Sequence, residues 1–253
     1  MTPPRRTGPP IAFGHRGALA YAPENTIAGF TLALGMGATG LETDAWLAAD
    51  GVPVLVHDGT IRPPGRRIFV TQRTAAELAE WEVPTLAQLY AACGTTFELS
   101  LDVEHPEVGR PVIAVAREAG ALDRLWLCHQ DLEVLADLRI HERRVHLASS
   151  VDLRVKPPAF EGHLDRMIQA GVEVLNLRWR TWSPARLAAV HERGLLGFAW
   201  DAIEPGTMTW LLDLGIDAIY SDYPDRIVRA IADHAAGRPD PQALTTRGPR
   251  PVA

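Results

Sequence analysis

Apolar positions along the chain fall into two alternating kinds of segment. Short apolar runs are followed by longer stretches in which apolar residues recur every three or four positions, the signature of strands alternating with amphipathic helices. The spacing predicts eight strands, at residues 11–15, 40–45, 97–103, 125–128, 145–149, 173–177, 196–200 and 217–221. The stretches between them carry helix punctuation. Thr74 with Glu77, and Thr85 with Gln88, have the spacing of capping boxes, in which each partner satisfies a free backbone donor of the first turn. Ser183-Pro184 sets an N-cap before a proline at the first helical position, and Gly120, Gly171, Gly194 and Gly215 stand where a left-handed residue ends a helix. Eight strand–helix pairs close most naturally into a (β/α)8 TIM barrel, an α/β fold for which a doubly wound sheet is the alternative arrangement.

One run breaks the alternation. Residues 52–57 (VPVLVH) read as a strand but follow the second strand after only Asp50-Gly51, a dipeptide suited to a two-residue type I′ turn. A β-hairpin extension after the second strand is therefore expected. With Asp50-Gly51 as the loop, Ala49 faces Val52 and His57 falls directly opposite Asp44.

Length is consistent with one such barrel: 253 residues, 47% of them hydrophobic and 22% charged, exclude intrinsic disorder for most of the chain. Residues 11–234 are assigned to a single domain. Residues 1–10 and 235–253, rich in Pro, Gly, Arg and Thr without hydrophobic periodicity, are expected to be mobile tails. The two cysteines, Cys93 and Cys128, are too few for a disulfide framework or a thiolate zinc cage and read as small buried hydrophobes. A net charge of −6 argues against nucleic acid as a partner. No apolar run approaches the roughly 18 residues of a membrane span, so no stable membrane insertion is expected and a cytoplasmic location is the default.

The polar residues of interest gather at the C-terminal ends of the predicted strands, where barrel active sites are built. His15-Arg16-Gly17 ends the first strand. Glu42 and Asp44 on the second, and Asp102 and Glu104 on the third, are two apart, so the strand period places each pair on one face. The hairpin adds His57 to the Glu42 and Asp44 side. Carboxylates converging at one mouth repel unless a cation neutralises them, and all-oxygen ligation favours a hard divalent ion, Mg²⁺ or Ca²⁺. Two nearby histidines suit general acid and base roles at neutral pH, and Arg16 offers a guanidinium of the kind that clamps phosphate. These residues point to metal-assisted phosphoryl chemistry. His105, His129, His141, His146, His163, His191 and His234 read as surface or structural histidines, with His129 set apart because it follows a strand end. Trp200 ends the seventh strand and is a candidate for the rim of the mouth. Asp222 reads as a cap for a helix beginning near Pro224.

Taken in order, His15-Arg16-Gly17, Pro23-Glu24-Asn25-Thr26, Glu42-Thr43-Asp44, Asp50-Gly51-Val52-Pro53-Val54, His57-Asp58 and Pro84-Thr85-Leu86 resemble the glycerophosphodiester phosphodiesterase family. The resemblance continues at Trp200 and from Gly215 to Asp225, and covers residues 11 to 230. It implies a phosphodiesterase barrel related to the phosphoinositide phospholipases C, with His15 and His57 as the catalytic pair and Arg16 on the substrate phosphate. It further implies Glu42 and Asp44 as ligands of a divalent cation, and hydrolysis of a small glycerophosphodiester to sn-glycerol 3-phosphate and an alcohol. The third strand departs from the family pattern. The usual glutamate and lysine read Asp102 and Glu104 here, so Asp102 becomes the expected third ligand. Glu104 is then either a further ligand or a mark of a changed substrate, with Arg178 available to compensate its charge. Trp200-Asp201-Ala202-Ile203 also departs from the family's run after the seventh strand. The alternative activity is a phospholipase D-like hydrolysis of lysophospholipids or another phosphodiester, and a non-catalytic phosphodiester-binding barrel is the alternative to an enzyme.

Overall fold

A computed structural model of the protein describes residues 8–63, 65–151 and 159–237. Its strands are β1 (Ile11–Gly14), β2 (Gly40–Leu47), β3 (Pro53–Leu55), β4 (Thr60–Ile61), β5 (Ile68–Phe69) and β6 (Glu98–Val103). They continue with β7 (Leu125–His129), β8 (His146–Ser150), β9 (Val174–Arg178), β10 (Leu196–Trp200) and β11 (Ala218–Ser221). Eight of them close a parallel barrel in the order β1-β2-β6-β7-β8-β9-β10-β11, with β11 pairing back onto β1 through Gly14 and Ser221. The α/β barrel expected from the alternation of segments is thus the observed fold, and each predicted strand lies within two residues of its observed position.

Helices cover the outside: α1 (Ile27–Gly35), α2 (Ala75–Ala79), α3 (Leu86–Cys93), α4 (Gly109–Glu118), α5 (Leu132–His141), α6 (Ala159–Gln169), α7 (Pro184–Glu192), α8 (Pro205–Leu214) and α9 (Pro224–Ala235). Both capping boxes form, Ser183 caps α7 ahead of Pro184, and Gly215 ends α8 in the left-handed region. Apolar side chains on the outward faces of the strands pack under the helices, with Leu41, Leu99, Leu127, Leu147 and Leu175 all fully buried there. Alternate residues point inward and fill the barrel with Phe13, Trp126, Val174, Phe198 and Tyr220, Phe13 stacking on Tyr220 at a 4.6 Å centroid separation. Above this plug, the C-terminal ends of the strands carry the carboxylates Glu42, Asp44 and Asp102. Among the described residues no helix is long and apolar enough to cross a membrane. Of the two expected tails, residues 1–7 and 238–253 lie outside the described residues.

The hairpin forms with a different register. β2 and β3 pair Ala45 with Leu55, Trp46 with Val54 and Leu47 with Pro53, one residue out of step with the expected pairing. The loop holds three residues rather than two. Gly51 donates to the Ala48 carbonyl at 2.9 Å and takes φ +78°, a type I turn followed by a left-handed glycine. The position opposite Asp44 therefore belongs to Val56, whose N–H donates to the Asp44 carbonyl at 3.1 Å, and not to His57.

Candidate active site

The end of β1 starts the site. His15 follows Gly14, and the chain then turns back on itself with Arg16 at φ +49° and Asn25 at φ +55°. Left-handed backbone at a non-glycine residue costs free energy and persists where surrounding contacts over-determine it. Here those contacts are identifiable. The Arg16 N–H donates to Glu42 Oε2 at 2.8 Å, and the Asn25 N–H donates to the Arg16 carbonyl at 3.0 Å. The Asn25 side chain is buried between Thr43, whose hydroxyl donates to it at 2.8 Å, and Asp44, to which it donates at 3.2 Å. The strained loop thus orients two carboxylates of β2.

Glu42, Asp44 and Asp102 present carboxylate oxygens that all lie within 4.8 Å of one another. β2 and β6 run side by side with Asp44 in register with Asp102, so the strand period of two brings the groups together, as expected from their spacing. Burial pushes the Glu42 carboxyl up to about 7, His15 opposing the rise and Asp44 adding to it. Burial, then Glu42, Asp44 and Glu104, hold Asp102 well above the usual carboxylate range. Glu104 lies one residue beyond β6 and is also raised, first by its partial burial and then by Asp44. Such a set of hard oxygen donors resisting ionisation fits a divalent cation, which would supply the missing positive charge.

His15 Nδ1 sits 2.6 Å from Asp222 Oδ1, and its Nε2 is 3.9 Å from Glu42. Burial opposes its charge, but Glu42 and the Asp222 hydrogen bond outweigh burial and raise it to about 9. Asp222 is not the helix cap expected from its position: Tyr223 precedes α9 and makes no side-chain cap bond. The physical reason is barrel closure. Gly14 and Ser221 are register partners on β1 and β11, so the next residue of each strand, His15 and Asp222, emerge side by side.

His57 is brought to the mouth from the hairpin by a contact the sequence pattern did not reveal. β3 ends at Leu55, and the indole N–H of Trp46 on β2 donates to the His57 carbonyl at 3.1 Å. Gly59 lies against the same indole so closely that a Cβ there would meet the ring at 2.6 Å, and its φ of +62° also favours glycine. The His57 imidazole bonds Asp58 through Nδ1 at 2.7 Å and remains partly exposed, and its charge bears on Glu104.

Arg16 is held by Glu24 at 2.7 Å and approaches Asp44 at 3.8 Å, while its Nε is buried with no hydrogen-bond partner. That Nε is the atom facing Asp44, and a guanidinium held beside a carboxylate cluster is of the kind that meets a phosphate. Beside the cluster a cleft of about 240 Å³ is lined by Asp102, Glu104, Cys128, His129, Gln130 and Ser150. His129, flagged by its place at a strand end, accepts the Asp131 N–H on Nδ1 at 2.9 Å. Across the barrel, Arg178 at the end of β9 bonds Asp201 at 2.7 Å and lies 5.6 Å over the Trp200 ring at the end of β10. Arg178 therefore already has a carboxylate partner and is no free counter-charge for Glu104. Among the other histidines, His163 bonds Ser149 and His191 bonds Asp217, as structural residues would.

Comparison with known proteins agrees with this fold and places the chain in a family. A family model described as the glycerophosphoryl diester phosphodiesterase family matches residues 15–106 and 107–226. YhdW of Bacillus subtilis, whose name assigns it to the same family, is 27% identical over 235 residues, spanning 85% of this chain and 95% of its own. A glycerophosphodiester phosphodiesterase structure from Thermotoga maritima superposes with a TM-score of 0.76 at 21% identity, covering 87% of this chain and 97% of that one. An Oleispira antarctica phosphodiesterase solved with its product sn-glycerol-3-phosphate superposes with a TM-score of 0.78 at 22% identity, covering 88% of this chain and 97% of that one. The family match runs from His15 at the end of β1 to the first turn of α9 and so takes in every strand end that forms this mouth; the chain belongs to the glycerophosphoryl diester phosphodiesterase family.

Proposed function

We propose that the protein hydrolyses glycerophosphodiesters to sn-glycerol 3-phosphate and an alcohol, with a divalent cation held by Glu42, Asp44 and Asp102. The observation that carries this reading is a pair of histidine–carboxylate dyads beside the three carboxylates: His15 with Asp222 at 2.6 Å and His57 with Asp58 at 2.7 Å. An ionised carboxylate only accepts, so in each dyad Nδ1 carries the proton and Nε2 is left to exchange one with substrate. One imidazole removes a proton from the attacking oxygen, that of water or of the neighbouring glycerol hydroxyl, and the other returns a proton to the leaving alcohol oxygen; where the glycerol hydroxyl attacks, a water then opens the cyclic phosphate to complete the hydrolysis. Arg16, whose guanidinium stands beside the carboxylates, takes a phosphate oxygen. When bound, the cation supplies Lewis-acid polarisation of a non-bridging phosphate oxygen. Mg²⁺ and Ca²⁺ both suit an all-oxygen donor set.

The test is turnover of glycerophosphocholine with Mg²⁺ or Ca²⁺, against an EDTA control. Release of sn-glycerol 3-phosphate that EDTA stops and added cation restores is the expected result. An undiminished rate in excess chelator removes the metal from the reading, and no product with either cation removes the hydrolysis of this substrate.

A further inference from the structure

Below the carboxylates the barrel interior is not wholly apolar. Ser100 on β6, Cys128 on β7 and Tyr220 on β11 all point inward, and each is no more than 3% exposed. Ser100 Oγ lies 3.0 Å from the Tyr220 hydroxyl and 3.3 Å from Cys128 Sγ. Cys128 is the register partner of Asp102 on the neighbouring strand and lines the same cleft, so its thiol stands beside the Asp102 carboxylate and can donate to it. Glu42, Asp44 and Glu104 all repel that carboxylate.

Counting protons fixes the direction of this chain. As a cation ligand Asp102 is ionised and only accepts, so in that state the single thiol proton of Cys128 goes to it. Ser100 must then give its hydroxyl proton to Sγ, which leaves Tyr220 as the donor to Ser100 Oγ. Three donors buried across the barrel from β11 to β7 therefore point one way and end on one carboxylate. Buried polar groups in a layer otherwise filled by Phe13, Trp126 and Phe198 carry a desolvation cost that this arrangement offsets.

We propose that Cys128, oriented by Ser100 and Tyr220, is a positioning residue that holds the Asp102 carboxylate against its acidic neighbours in the orientation that binds the cation. The proposal rests on the cation reading above. It accounts for a ligand as short as Asp102 at this strand: a side chain with little reach depends on a fixed support beneath it. Supports of this kind orient metal ligands, and their loss lowers metal affinity by about 10- to 100-fold.

The experiment measures cation affinity without turnover, from the rise in melting temperature as Mg²⁺ or Ca²⁺ is titrated into the protein and its Cys128→Ala, Cys128→Ser and Tyr220→Phe variants. Cys128→Ala is expected to weaken cation binding by about tenfold or more. Cys128→Ser, which keeps a donor, restores most of it. Tyr220→Phe keeps the stack on Phe13 and removes only the first donor, so it falls between. The cation concentration for half-maximal turnover shifts in the same order. Wild-type affinity in Cys128→Ala, or equal losses in the Ala and Ser variants, overturns the proposal, because either result reduces Cys128 to a packing residue. If Cys128→Ala does not fold, Tyr220→Phe decides: reduced affinity supports the chain and wild-type affinity overturns it. Absence of any cation-dependent stabilisation in the unaltered protein is a separate result, and it overturns the cation reading instead.

Discussion

Opposite sides of the barrel mouth handle charge in contrasting ways. At the ends of β2 and β6, Glu42, Asp44 and Asp102 face one another within 4.8 Å, and the groups that orient them are mostly neutral: a backbone N–H, an amide and a thiol. Across the ring, at the ends of β9 and β10, Arg178 and Asp201 neutralise each other over the Trp200 ring and stay partly exposed. The first side is oriented but electrostatically incomplete. The second is complete and open to solvent. An incomplete, rigid charge set is what a cation and a phosphate can finish, whereas a self-satisfied ion pair at a rim is suited to contacting a variable group.

The strongest way to break this contrast is Glu42→Gln, which keeps an acceptor for the Arg16 N–H and removes one charge from the cluster. Cation-dependent kcat/KM should fall on the order of 10³ or more, the scale of lost metal stabilisation. Steady-state kinetics across a cation titration check it, and a fall of less than tenfold would mean that the acidic side is not a cation site.

Next come the histidines. His15→Ala and His57→Ala should each lower kcat by about 10² or more, the contribution of a general acid or base. Their effects on stability should differ. The His15 bond to Asp222 ties β1 to β11 across the barrel closure, while His57 bonds only its sequence neighbour Asp58, so only His15→Ala is expected to shift the melting temperature appreciably. Near-wild-type kcat in either variant removes that residue from proton transfer.

The incomplete charge set also predicts a pH dependence for the cation-free protein. Glu42 is raised to about 7 and His15 to about 9. A group whose pKa is higher folded than unfolded binds more protons in the folded state, so its contribution is full below the unfolded pKa and is lost as pH rises through the folded one. Both groups therefore act in one direction: the cation-free melting temperature should fall as pH climbs from about 5 to about 9, across the windows these shifts define. Added Mg²⁺ or Ca²⁺ should reduce that fall by replacing protons in the cluster. A melting temperature that rises with pH over this range contradicts the charge arrangement.

Much of this was legible in the sequence because it is local. Strand period two put Glu42 beside Asp44, and cap spacing placed α2, α3 and α7. The hairpin register was misread because Asp50-Gly51 suits either a two-residue loop or the end of a three-residue one, and sequence alone does not choose between them. His57 reached the mouth regardless, through its carbonyl bond to Trp46, which an alternating pattern does not encode. Asp222 was taken for a cap because its partner lies 207 positions away. Only the closure of β11 onto β1, with a definite register, sets it beside His15. Cys128 is buried in the barrel core as a small hydrophobe would be, while Cys93 is only half-buried; the hydrogen bond of Cys128 to Ser100 comes from another strand of the closed barrel, which a linear pattern does not show.

The smallest expected effects compare the two sides directly. Glu104→Gln removes a charge that faces Asp44 and Asp102, so it should raise the cation concentration needed for activity a few-fold and leave the substrate KM near its original value. Arg178→Gln removes one half of a partly exposed ion pair, a contact of the kind worth roughly 0–1 kcal/mol, so its effect should stay within about fivefold. That change should appear in KM for substrates with different alcohols and not in the cation requirement, because the Arg178 guanidinium is bonded to Asp201 and stacked over Trp200 on the far side of the ring. Cation titrations and KM values for both variants separate the cases. If Arg178→Gln shifts the cation midpoint as much as Glu104→Gln does, the two sides of the mouth are coupled and the far side helps to set the charge balance of the acidic one.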